Sequence, residues 1–182
     1  MENLSEQKSC IEQAAENLFN FAVDREDVKI LMANLHESAE IQRNSVEYEL
    51  QILKIISVGW AIPYFLANHP QKELIGACYW QAIQGFSQNL SETFGLVVGQ
   101  SIDYFQILKE RLERYVNALQ RKPKALEPAA VIGPEFADAC GNRNDVFTVM
   151  TGSRMFIATI GSVKQYLENL DVACNSRKSI QN

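Results

Sequence analysis

Gln81, Gln84 and Gln88 fall at i, i+3 and i+7 within a stretch of helical periodicity, so their amides share one helix face. Amides neither titrate nor attack. They donate and accept hydrogen bonds, which suits them to orient a neutral group. Four large aromatic residues stand close by in sequence: Trp60, Tyr64, Tyr79 and Trp80. One chemistry for the set is a small, largely apolar ligand stacked on a ring and oriented by Gln84 and Gln88. The plainer reading makes the amides a solvated stripe and the aromatics a core.

The titratable groups form no such constellation. His36 and His69 both sit at expected helix breaks, outside any HExxH or ExxH pattern. Glu47 and Glu49 lie on different helix faces. Cys10, Cys78, Cys140 and Cys174 are scattered without a CxxC pair. Cys78 becomes a nucleophile only if a distant histidine reaches it, and a buried structural thiol is the simpler account. No GxxxxGK[ST] or GxGxxG phosphate loop is present. No metal or cofactor is therefore expected, and catalysis is not favoured. In TGSRM, residues 151–155, Gly152 and Ser153 suit close helix approach, with Arg154 the sharper candidate for a substrate contact.

Composition narrows the classes further. The chain has 182 residues, 47% hydrophobic and 21% charged, which fits one soluble domain able to bury a core unaided. A net charge of −5 argues against phosphate-neutralising nucleic-acid binding. The polar start MENLSEQKSC has no apolar leader core, and with the scattered cysteines it points to the cytoplasm.

The elements that must position these residues are helices. Ile11, Ala15, Leu18 and Ala22 define a first, with Ser9 and Glu12 spaced as a capping box. A short second helix starts near Asp24, and a long third runs from about Glu40 to Ala67, with Arg43 and Glu47 spaced as an ion pair. Its second half, IISVGWAIPYFLA, is apolar on all sides, and Pro63 is expected to kink it. Pro70 suits the first turn of a fourth helix, and a fifth is expected from near Val97. Arg111, Arg114, Arg121 and Lys122 are favourably placed at the latter's negative end. RKPKALEPAAVIGP, residues 121–134, reads as a long surface crossover, followed by a short helix from Pro134 to Ala139. A last helix, capped by Asn144 or Asp145, repeats Val149, Phe156, Ile160, Val163, Leu167 and Leu170. The sum is an all-α bundle of about five main helices. It forms a single domain over residues 1–172 with a polar tail over 173–182.

From Ile55 to Ile102 there are only three formal charges, Lys72, Glu73 and Glu92. A central hairpin buried on every side loses charge in this way. An aromatic face covered by a partner does so as well. A membrane hairpin does not fit. Ile55–Ala67 is too short to span a bilayer, and residues 74–91 carry Gln81, Gln84, Gln88 and Asn89. The sequence thus predicts a non-enzymatic cytoplasmic protein that acts by binding a protein partner. Self-association, as a dimer through the aromatic hairpin or last helix, is expected. The alternative is a carrier or sensor of a small apolar ligand in a pocket lined by Trp60, Tyr64, Trp80 and Gln84.

Overall fold

The computed structural model describes residues 2–37, 39, 41–98, 102–124 and 127–179. Seven helices form among these residues: α1 Glu2–Val23, α2 Glu26–Ala33, α3 Arg43–Phe65, α4 Lys72–Val98, α5 Tyr104–Arg121, α6 Ala129–Ala139 and α7 Val146–Ser179. The all-α bundle expected from periodicity is the fold. Five helices are long, and α2 and α6 are short.

α3 is the axis of the molecule. Each of the other six helices packs against it. Its residues from Glu49 to Gly59 are buried except half-buried Gln51, and Ala61 and Ile62 continue the run. Each fully buried Leu or Ile contributes about 1.5–3 kcal/mol, so this one helix anchors much of the core. The helix passes through Pro63 and ends at Phe65. The hairpin is less central than its composition suggests, because among the described residues α4 packs only against α1, α3 and α5. Its outer face is exposed, and uncharged Gln81, Gln84, Gln88 and Asn89 meet solvent there where charges normally would.

Lys54 lies in the most buried part of α3, yet it carries a charge. Its ammonium donates to the Asp24 carbonyl at 3.0 Å, pairs with Asp27 at 2.8 Å and sits 4.4 Å from the Phe21 ring centroid. Gln51 donates to the Ala22 carbonyl at 2.8 Å. Two α3 side chains thus satisfy carbonyls at the C-terminal end of α1, where a cation also meets the negative end of the dipole.

Several expected boundaries move. α1 begins at Glu2, so Ser9 lies inside it and cannot be its cap. The Arg43–Glu47 pair does not form. Arg43 instead donates to the carbonyls of Met32 and Leu35, and Glu47 pairs with Arg25. α4 continues through Val97 and Val98, and α5 starts at Tyr104. Asp103 caps α5 by accepting from the Gln106 amide at 2.9 Å. α6 starts at Ala129 with Pro134 inside it, which shortens the crossover to residues 122–128. Gly141, at φ 111°, closes α6, and the Asn142 amide reaches back to the Ala137 carbonyl. Asp145 caps α7 by accepting from the Thr148 amide at 2.7 Å. α7 runs on through the stretch read as a tail, as far as Ser179.

An ionic cluster ties α5 to α6 and the turn beyond. Glu135 accepts from Arg114 and Arg143, and Asp138 pairs with the same two arginines. Burial alone would raise the Glu135 carboxyl, but the hydrogen bonds from Arg143 and Arg114 outweigh it and hold it below its ordinary value. A depressed carboxyl stabilises the fold above its unfolded value and ceases to do so as pH falls through the folded one. Thermal melts of wild type and Arg143→Gln are therefore expected to differ most at neutral pH. The two should converge below about pH 4.5, the ordinary carboxyl value. A gap that stays constant down to pH 3 would refute this role for the cluster.

Candidate functional site

α3 and α4 form the expected antiparallel hairpin. Ile62 lies against Gly76, the Trp80 indole lies across Gly59, and the Tyr79 hydroxyl donates to the Ile55 carbonyl at 2.7 Å.

The aromatic residues divide into two groups on this scaffold. Trp60 stacks on Tyr64 at 4.8 Å, Tyr64 meets Phe65 edge-on at 5.0 Å, and Trp60 reaches Phe156 of α7 at 5.9 Å. Tyr79 and Trp80 pair edge-on at 5.3 Å. Tyr79 is fully buried, and that burial pushes its phenol well above the ordinary range. It is a core residue, so it cannot touch a partner. Gln84 and Gln88 stand with Gln81 on the exposed face of α4, as a solvated stripe. Among the singled-out residues, Trp60 and Tyr64 are in contact and Tyr64 is 61% exposed.

A narrow apolar groove opens beside Trp60, between α3, α5, α6 and α7, with Leu53, Ile56, Leu112, Val116 and Phe156 in its walls. Its volume is about 10 Å³, room for about one water. Pockets for drug-sized ligands are at least thirty times larger, at roughly 300 Å³ and above. Neither Tyr64, Trp80 nor Gln84 lines this groove.

The polar groups nearest the core serve the fold. Arg111 holds buried Glu49 through three hydrogen bonds of 2.7–3.2 Å. Burial first, and then the Glu49 charge, push the nearby Cys140 thiol up to about 12, so it stays protonated and unreactive. The Tyr115 phenol is raised for the same two reasons, and its buried hydroxyl has no hydrogen-bond partner among the described residues. His36 stacks on Phe147 at 4.3 Å, and His69 Nδ1 accepts from the Gln71 amide at 3.2 Å. No group of three His, Cys, Asp or Glu side chains with metal-ligand spacing occurs among the described residues.

The last helix, α7, is one of the two elements expected to mediate self-association, but the sequence reading did not name the residues of its outer face. Between Val146 and Val163 the only charge is Arg154. Its inner face packs on α3 and α6, with Met155, Phe156, Thr159 and Val163 buried. Its outer face leaves Phe147 37%, Met150 47% and Ile157 56% exposed. A helix apolar on both sides normally has cover on both sides. By length and composition alone, Val146–Leu170 would also suffice to cross a membrane, although its buried face carries Thr148, Thr151 and Thr159. The signal was present in the sequence as a charge-poor run, but the core repeat accounted for only half of it.

Comparison with protein-family models, curated proteins and solved structures finds no match to this chain.

Proposed function

We propose that this chain acts by binding another protein through the outer face of α7, as a non-catalytic component of the cytoplasm. The observation that carries the reading is a long helix with a single charge over its first eighteen residues and with Phe147, Met150 and Ile157 facing solvent. Exposed apolar side chains set in a contiguous helical stripe are the usual form of a helix-packing interface. Tyr64 adds an exposed aromatic on the neighbouring helix, seated on Trp60. The scattered cysteines, none in a CxxC pair, suit a reducing compartment. The carrier alternative would need the groove beside Trp60 to open far beyond its present volume.

Native mass spectrometry of the protein purified gently from its source tests this. The wild type is expected above the mass of one chain. Met150→Asp with Ile157→Asp is expected at the bare monomer mass with an unchanged circular dichroism spectrum, because exposed substitutions shift stability by only about 0.5 kcal/mol. A wild type found only as a bare monomer would overturn the reading.

A further inference from the structure

We propose that the partner at this face is a second copy of the chain, the two α7 helices crossing antiparallel about a two-fold axis at Gly161. The inference rests on the binding reading above and specifies its occupant.

Phe147, Arg154, Gly161 and Glu168 follow at seven-residue spacing, so they lie along one seam of α7, with Met150, Ile157 and Lys164 beside it. All seven are exposed. Arg154 has no hydrogen bond or ion pair from its guanidinium among the described residues. Covering an unpaired guanidinium is costly, so whatever packs on this face must bring it an acceptor. The chain carries a carboxylate in the right place to do so. In an antiparallel pair centred on residue 161, position 154 of one copy faces position 168 of the other, each about 10.5 Å from the crossing point. Arg154 then meets Glu168 of the second copy, and the two-fold axis repeats the pair on the other side. A parallel pair would set Arg154 against Arg154 and Glu168 against Glu168. Within its own chain Glu168 is engaged at the surface by Lys164 at 3.8 Å, which leaves the carboxylate accessible.

Gly161 supplies a second, independent reason. A Cβ at this position would meet nothing within 4 Å, so the fold of the single chain does not require glycine there. A glycine inside an exposed helix weakens it. At a crossing point the same residue lets two backbones approach closely, with Ala158 exposed one turn away.

Sedimentation of the full chain gives the test. Wild type is expected to dimerise. Arg154→Glu and Glu168→Arg each place like charges together in both symmetric pairs, and each is expected to weaken the dimer by about tenfold or more. The double variant, carrying both reversals, is expected to regain most of the loss. Gly161→Leu, which has open space in the monomer, is expected to fold and remain monomeric. A wild type monomeric up to about 100 μM, or single reversals without effect, or a double variant no better than either single, would overturn the proposal. A photoreactive residue in place of Ile157 separates its failure from that of the broader reading. A monomer that cross-links to a different protein removes the second copy and leaves the binding face. A monomer that cross-links to nothing removes both.

Discussion

Replacing Arg111 by methionine is expected to destabilise the protein by about 3–5 kcal/mol, the range for breaking a buried ion pair from one side. Glu49 is only 3% exposed, and Arg111 supplies both of its oxygens with donors. Without the guanidinium, the Glu49 carboxylate is left without its donors in an apolar setting among Tyr115, Cys140 and the α3 core. The opposite substitution costs less. In Glu49→Gln, the Arg111 side chain, 25% exposed at present, can turn its charge to water. Glu49→Leu combined with Arg111→Met is expected to recover most of the loss, since a packed apolar pair avoids desolvation altogether. Urea denaturation of the three variants measures this directly. Equal losses for Arg111→Met and Glu49→Gln would show that the pair is not held in the asymmetric burial described here.

The same pair shows where sequence reading stops. Glu49 and Arg111 are sixty-two residues apart, and nothing in their local spacing joins them. Arg111 looks like one of several cations near a helix end, and Glu49 like one of several acids in an amphipathic half-helix. Arg43 and Glu47 make the converse point, because their four-residue spacing offers a local ion pair worth only a few tenths of a kcal/mol. Arg43 instead satisfies two carbonyls at the end of α2, and Glu47 finds Arg25. Local pairs this weak yield to tertiary partners.

Helix identity was legible because period and composition agreed over long stretches. IISVGWAIPYFLA reads as buried on all sides, and α3 packs against each of the other six helices, but within α3 the burial ends at Ile62 and leaves Pro63 and Tyr64 exposed. Boundaries were less legible where apolar residues continue across a break. Leu96, Val97 and Val98 extend α4, and the stop before α5 is marked only by Asp103, a capping residue that resembles any surface acid until its amide partner is seen. The lack of charge on α4 misled for a physical reason. Solvent can be met by amides as well as by ions, so a charge-free helix is not thereby a buried one. On α7 the core repeat was read correctly, and although the helix was named as a possible interface, the residues of its opposite face were not, because periodicity identifies the buried stripe first. Whether the remaining face is covered depends on how many neighbours the helix has.

Two glycine-to-alanine substitutions are expected to have opposite signs, and their contrast tests how tightly α6 and α7 are joined. At Gly152 a Cβ would run into the Cβ, Cγ and Cδ1 of Phe136, which is fully buried. Across the same contact, a Cβ on Gly133 would meet the Ser153 hydroxyl and the Val149 backbone carbonyl. Ser153 already donates to the Ala129 carbonyl at 3.1 Å, which fixes the two helices at this separation. Gly152→Ala gains about 1 kcal/mol of helix propensity. Overpacking costs about 1–3 kcal/mol, and with Cδ1, Cγ and Cβ of Phe136 all within 2.9 Å of the added atom the upper end, about 2–3 kcal/mol, applies. The net expectation is a loss of about 1–2 kcal/mol for alanine, and more than 3 kcal/mol for Gly152→Leu, whose side chain has to part the helices. Gly85 in α4 is the control. A Cβ there meets nothing within 4 Å, so Gly85→Ala is expected to keep the full propensity gain of about 1 kcal/mol. Thermal melts of both variants decide it. If Gly152→Ala raised the melting temperature as Gly85→Ala does, α6 and α7 would have room between them, and α7 would have slack on its inner face as well as its outer one.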